Sequence, residues 1–494
     1  MRYRRLSYPL LLLGLLVLLS LWRWLASATT GMELYADEAQ YWSWSLQPDW
    51  GYYSKPPMVA WLIYLGTHGF GDGELGVRAA TFAIWPLTSW VLFLLLRRLY
   101  RDDAANQQVA FWSALLFASL PLTALGGLLI TTDGPLLLFW ALTLYFLLRA
   151  LQDSRPGDWL LAGLCAGLGL LSKYSMVFFA PSLLIYLLLS PDRRHWLRRP
   201  WPYLAAGVAL LVLTPNIVWN ASHDYVSFQH TADISQLDRA WLHWDALAEF
   251  FLSQFGVFGP LPALALIVML WHWRTLLADE RLRFLAAFCL VPLAAFLTLS
   301  LLSRAFANWA AFAYVAGTGL VTAGWLARRQ RRWLVAALAL NLLIAAGVYH
   351  YRALASLAGI ELTRKTDIYK RVTGHRQLGA AVAHVLAQHP GARLLVDDRK
   401  SMASLLYYAR PASLDGRYLA PVGAEIDNHY VLTRGVHLAP ASDYILVSQY
   451  ADAAQLRRRF ATVTAQPPIH IQLYADFSLD YQVWAVRGFR GEAP

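Results

Sequence analysis

Long apolar runs recur along this chain from Leu10 to about Tyr349, and short clusters of arginine separate them. That pattern constrains the fold more than any motif. A run of roughly 20 mostly apolar residues is what a helix needs to cross a bilayer. Only 15% of the 494 residues are charged, against about 25% for an ordinary soluble chain. A water-soluble fold is therefore excluded for the first 350 residues. The expected spans fall at about 8–25, 77–96, 109–129, 135–148, 159–171, 176–189, 203–219, 255–273, 284–302, 309–326 and 333–349.

The arginines orient these spans. They cluster in every second loop: Arg2/Arg4/Arg5, Arg97/Arg98/Arg101, Arg149/Arg155, Arg193/Arg194/Arg198/Arg199, Arg274/Arg281/Arg283 and Arg328/Arg329/Arg331/Arg332. The positive-inside rule makes those loops cytoplasmic. With about eleven spans, the amino terminus is then cytoplasmic and the carboxy-terminal domain periplasmic, in the inner membrane of a Gram-negative cell. The net charge of +11 is spread between spans and forms no contiguous basic face, which argues against nucleic acid. Ala26-Ser27-Ala28 resembles a signal-peptidase site. Trp22-Arg23-Trp24 interrupts the approach to it, so the first helix is expected to be retained. Cys165 and Cys289 lie inside apolar runs and carry no disulfide framework.

The alternate loops carry the polar chemistry. The first, residues 26–76, holds Asp37 and Glu38 at the start of an aromatic stripe with Tyr41, Trp42 and Trp44. Helical spacing there predicts a helix lying in the membrane interface; acids also favour a helix's first turn, so capping competes with catalysis as an explanation. Next comes Tyr53-Ser54-Lys55-Pro56-Pro57-Met58, where the proline pair fixes an extended backbone. Lys55 and Lys173 are the only lysines before residue 360. Both fall on the outer face, where a lysine works against orientation, so each is expected to have a partner. A lysine there either snorkels to headgroups or meets a phosphate as a point charge.

Four further outer loops follow. Thr131-Thr132-Asp133-Gly134-Pro135 places one acid between two apolar runs, where it caps the next helix or contacts substrate. Leu171-Ser172-Lys173 is a tight turn. The stretch from Pro215 to His230 is rich in aromatics, amides and hydroxyls, and includes His223 and Asp224. Ser303-Arg304 to Asn308-Trp309 supplies Arg304, a basic residue on the face that carries few of them. His223 and His230 match no standard metal-ligand spacing. No cofactor is indicated with certainty; a divalent metal stays open, with no ligand set to name. Gly163, Gly167 and Gly169 form a small-residue face suited to helix packing.

These elements together resemble glycosyltransferase family 39, whose bacterial members are relatives of the protein O-mannosyltransferases and the lipid A aminoarabinose transferases. The resemblance rests on Asp37-Glu38-Ala-Gln-Tyr41-Trp42, Gly51-Tyr-Tyr-Ser-Lys55-Pro56-Pro57-Met58, Thr132-Asp133, Leu171-Ser-Lys173, the Pro215-to-His230 stretch and Asn308-Trp309. It implies an α-helical polytopic membrane protein of GT-C type, with interfacial helices over a membrane cavity. It also implies an inverting transfer of a sugar from a polyprenyl-phosphate donor to a periplasmic lipid, glycan or protein acceptor. In that frame Asp37 activates the acceptor with Glu38 in support. Lys55, Arg304 and Lys173 contact the donor phosphate. Tyr41, Tyr53, Asp133, His223, Asp224 and Asn308 are candidate substrate contacts. One departure matters: the aminoarabinose transferases carry Glu-Lys-Pro where this chain has Ser54-Lys55-Pro56.

From residue 351 onward the pattern changes to alternating helices and strands, which predicts a small α/β domain over 351–494 after a membrane domain over 1–350. Helices are expected at 378–388 and 401–409, and strands at 394–396, 444–447 and 481–486. Asp397-Asp398 ends the first of those strands. Two other classes compete with transfer. A flippase without chemistry predicts internal repeats and charges in mid-span, and neither is visible. A ligase or polymerase of lipid-linked glycans would share the donor and the compartment.

Overall fold

A computed structural model describes residues 7–103, 106–235, 242–421, 425–435, 438–439 and 441–491. Arg2, Arg4 and Arg5 lie outside the described residues. The chain forms two compact units. One comprises 1–26, 55–62 and 78–349; the other comprises 27–54, 63–77 and 350–494. Where the sequence pattern changes once, near residue 350, the compact units also divide the first loop.

The first unit is helical. Six helices are long and apolar enough to cross a membrane: Tyr8–Thr29, Glu74–Leu99, Asp133–Asp153, Trp201–Ala221, Glu280–Leu302 and Arg331–Tyr349. The bent pair Trp244–Val257 and Pro260–Trp271 makes a seventh if taken as one span, and Pro156–Ser172, Tyr174–Leu189 and Ala313–Ala327 are shorter apolar helices. The protein is thus a multi-pass membrane protein, and helices cover all eleven runs expected from the sequence.

Two expected spans are not continuous, for local reasons. The run at 109–129 breaks into Asn106–Ser119 and Pro121–Gly126. Pro121 has no amide hydrogen, and it disfavours helical backbone at the residue before it. The carbonyl of Ala118 exposed at that break accepts from the buried Arg23 guanidinium. Arg23, which the sequence reading treats as an interruption, is therefore a structural plug. The run at 255–273 turns by 118° at Gly259, whose φ is +90°. A Cβ there would stand 2.7 Å from Asn341 Oδ1, so glycine is required both for the backbone and for the space.

Packing of this unit is aromatic and close. Trp140 is fully buried, with ring centroids of Phe179 and Phe312 at 5.1 and 4.6 Å. Gly163 and Gly167 do serve helix packing: a Cβ on them would meet Ala205 O at 2.3 Å and Val212 Cβ at 2.6 Å.

The second unit contains a five-stranded mixed sheet in the order β2-β1-β3-β5-β4. Its strands are β1 Arg393–Val396, β2 Arg417–Tyr418, β3 Tyr444–Ser448, β4 Phe460–Tyr474 and β5 Phe477–Phe489. β1 pairs in parallel with β2 and β3, while β5 runs antiparallel to β3 and β4. The helices His375–Gln388 and Arg399–Tyr408 lie where the sequence places them. β4, the longest strand, has no counterpart in the expectation. It contains Pro467-Pro468, which fit because β4 is an edge strand and its ladder shifts register between Gln466 and Ile469.

Candidate active site

In the membrane unit three separate segments meet at Asp133. This residue opens the helix Asp133–Asp153 and is buried. Lys173 Nζ donates to its Oδ1 at 2.7 Å, and Asn308 Nδ2 donates to its Oδ2 at 2.5 Å. Neither partner is near Asp133 in sequence; Asn308 is 175 residues away. A buried ion pair is stable only when its remaining lone pairs are satisfied, and Asn308 supplies that satisfaction for the second oxygen. Lys173 is therefore not a bare cation. Its ammonium still has two further donor positions, because an amine offers three.

The surroundings hold these three groups in place. Met58, Leu171 and Leu213 form a buried cluster. Met58 follows Lys55 by three residues and Leu171 precedes Lys173 by two, so this cluster anchors both lysine-bearing segments to one patch of the unit. Lys55 itself is half-buried. On the Asn308 side, Gln254 Nε2 donates to the carbonyl of Ala307 at 3.2 Å, and its Oε1 accepts from Tyr314 at 2.7 Å. Gln254 fixes the loop that presents Asn308. The sequence reading did not single it out; the only available signal was an amide inside an apolar run.

Arg304 is exposed. Its guanidinium lies 5.1 Å from the centroid of the Phe306 ring, and among the described residues it makes no ion pair. It is a cation held at the surface by an aromatic contact, on the loop that carries Asn308.

The Pro215-to-His230 stretch divides in two. Asn216 and Asn220 lie inside the helix Trp201–Ala221 and are fully buried. Asn216 Oδ1 accepts from the Tyr174 hydroxyl at 3.0 Å, and Asn220 Oδ1 accepts from the Ser227 amide at 3.2 Å. These amides tie the stretch to the residue after Lys173. His223, by contrast, stacks on Trp219 with centroids 4.1 Å apart and bonds through Nδ1 to that residue's carbonyl at 2.8 Å. Asp224 is exposed with φ 52°. Both belong to the turn that ends the helix, and neither reaches the Asp133 cluster by a hydrogen bond among the described residues. No group of three His, Cys, Asp or Glu side chains stands close enough to hold a metal ion among the described residues.

In the second unit the acidic pair separates into two roles. Glu38 is buried and accepts from the amide of Tyr35 at 3.0 Å, the contact that caps the helix Ala36–Ser45. Asp37 is partly exposed, with 41% of its side chain open. Its Oδ1 accepts from Arg399 Nη1 at 3.0 Å, and the same nitrogen donates to Gln40 Oε1 at 2.7 Å. Tyr41 and Tyr53 are both buried; Tyr41 sits with its ring 4.9 Å from Trp44. Arg399 was missed because 362 residues separate it from Asp37.

Residues 54–219 match the family model described as dolichyl-phosphate-mannose-protein mannosyltransferase. The lipid A galacturonosyltransferase RgtD of Rhizobium johnstonii is 33% identical over 417 residues, covering 83% of this chain and 85% of that protein. The chain belongs to glycosyltransferase family 39. Members of this family are membrane glycosyltransferases that use polyprenyl-phosphate-linked sugars. The undecaprenyl phosphate-α-4-amino-4-deoxy-L-arabinose arabinosyl transferase of Pseudomonas paraeruginosa is 31% identical over 260 residues, 50% of this chain and 45% of that protein. The structure of ArnT from Cupriavidus metallidurans bound to undecaprenyl phosphate superposes with a TM-score of 0.67 at 16% identity, covering 98% of this chain and 99% of that one. That superposition establishes the GT-C fold.

Proposed function

We propose that this family 39 enzyme transfers a sugar, with inversion, from polyprenyl phosphate to lipid A on the periplasmic face of the inner membrane. The observation that carries the reading is the meeting of Asp133, Lys173 and Asn308 from three separate loops. Such a buried charged cluster in a mostly apolar unit is expensive to maintain and marks a functional site. The acceptor is taken from the relative that matches most of the chain, whose name specifies lipid A. Ser54 in place of a glutamate before Lys55 weakens the aminoarabinosyl reading.

In the reaction an acceptor oxygen attacks the anomeric carbon opposite the departing phosphate. The new C–O bond forms as the C–O bond to phosphate breaks, and the leaving phosphate keeps the electron pair. Lys55 and Arg304 stabilise that growing charge, with Lys173 donating a further hydrogen bond from its ion pair. Asp37 accepts the acceptor proton or orients an acceptor that is already anionic. Asp133 and Asn308 hold Lys173 and the donor's sugar in register.

The test is transfer by the purified protein in nanodiscs, with lipid A and undecaprenyl-phosphate-linked galacturonic acid or aminoarabinose as donors, read by mass spectrometry. Galacturonic acid on lipid A is the expected product. No transfer from either donor would overturn the acceptor assignment. Lys55→Ala is expected to raise the apparent KM for donor about tenfold or more; an unchanged KM removes Lys55 from the phosphate site. Asp37→Asn is expected to abolish transfer with the fold intact, and wild-type turnover would refute the base.

A further inference from the structure

The carboxy-terminal domain has no assigned task, yet the residue that touches Asp37 comes from it. Arg399 is the first residue of the helix Arg399–Tyr408, immediately beyond the carboxyl end of β1. That edge of a parallel sheet is where α/β domains usually place functional groups. Here it delivers a guanidinium to the helix Ala36–Ser45. We infer that Arg399 is a positioning residue for Asp37, an inference that rests on Asp37 being the acceptor-activating base.

Three observations favour this over a simple latch. First, the segment that carries Asp37 is already secured without Arg399. Glu33 accepts from the amides of His375 and Arg376 at 2.5 and 3.3 Å, Leu34 N donates to Tyr408 at 2.6 Å, and Trp42 packs edge-on against Tyr407 at 4.9 Å. A latch would be redundant. Second, the contact is one-sided. Oδ1 of Asp37 is engaged, while Oδ2 has no hydrogen bond among the described residues. One oxygen is aimed and the other is open to take a proton. Third, Arg399 is itself braced. Its Nη1 also bonds to Gln40, one turn along from Asp37, and Gln40 is buried. The cation is fixed to the face of the helix that presents the acid.

An arginine stays protonated at any physiological pH, so it presents a fixed positive charge to Asp37 Oδ1. The other titratable groups facing this pair are the phenols of Tyr41 and Tyr430. Phenols are neutral near pH 7, and burial pushes Tyr430 further up. Glu38 on the same helix is turned to the Tyr35 amide. Arg399 is thus the charged group that fixes the direction of Asp37 Oδ1. During transfer the acceptor O–H proton goes to Oδ2, the C–O bond forms, and phosphate leaves with its electron pair.

The experiment compares wild type, Arg399→Ala, Arg399→Lys and Asp37→Asn as full-length protein in nanodiscs. Infrared difference spectra of the substrate-free proteins follow the Asp37 carboxylate stretch, using Asp37→Asn to assign the band. Arg399→Ala is expected to shift and broaden that band, because the carboxylate loses its guanidinium contact. Its kcat should fall about tenfold to a hundredfold with little change in donor KM. Arg399→Lys should recover part of both, and Arg399→Ala should cost nothing further in an Asp37→Asn background. An unmoved carboxylate band, or a lower kcat that Arg399→Lys does not recover in part, overturns the inference. Wild-type turnover in Asp37→Asn instead sinks the base assignment, while the infrared band still reports whether Arg399 orients that carboxylate.

Discussion

The ammonium of Lys173 lies 2.7 Å from the carboxylate of Asp133, with 15% and 9% of the two side chains exposed. A cation that the sequence marks as a phosphate ligand and an acid that it marks as a cap or substrate contact are one unit. Removing one partner strands the other in a water-poor site, at a cost of about 3–5 kcal/mol. Asp133→Ala and Lys173→Met should therefore each lower the melting temperature in detergent. The double substitution should recover much of that loss while transfer stays abolished. Additive losses of stability would show that the two side chains do not act as a pair.

Acid should loosen the second unit through His429. Burial first, and the neighbouring Arg434 charge second, hold its imidazole down to about 3 from an ordinary 6.5. Trp44 and Tyr52 pack on it with ring centroids at 5.4 and 6.2 Å, and its buried Nδ1 has no hydrogen-bond partner among the described residues. The folded state keeps the ring neutral, whereas the unfolded chain takes up a proton once pH falls below 6.5. Stability is therefore complete above that value and declines as pH drops from 6.5 towards about 3. Each unit of difference corresponds to about 1.4 kcal/mol. His429→Leu should flatten the fall of melting temperature between pH 6.5 and 4.5; a slope parallel to wild type would remove His429 as its cause.

Helix packing at Gly163 leaves no space for a side chain. Gly163→Val would press on the Ala205 carbonyl, which stands 2.3 Å from an added Cβ. The expected loss is about 1–3 kcal/mol, typical of an overfilled contact. Gly157 lies in the same helix with nothing within 4 Å of an added Cβ, so Gly157→Ala should leave the melting temperature unchanged or slightly higher. Equal effects at the two positions would mean that the close approach to the helix Trp201–Ala221 is not what selects glycine.

Much of the membrane architecture was legible because its physics is local. A bilayer rewards runs of apolar residues, and each run announces itself without reference to the rest of the chain. The breaks were less legible. Pro121 and Gly259 lie inside apolar runs, and hydropathy alone does not register a missing amide or a positive φ. The long strand β4 escaped notice for the reverse reason, since its proline pair is tolerated only because, among the described residues, no strand pairs on its outer side.

The sequence by itself determined that this is a polytopic membrane glycosyltransferase, and it named Asp37, Lys55, Asp133, Lys173, Arg304 and Asn308 as candidates. Which of these groups face each other was decided by the tertiary structure alone. Lys173 reaches Asp133 across 40 residues, Asn308 reaches it across 175, and Arg399 reaches Asp37 across 362. Hydrophobic patterning depends on neighbours along the chain, whereas an ion pair depends on distance in space, and only folding converts one into the other.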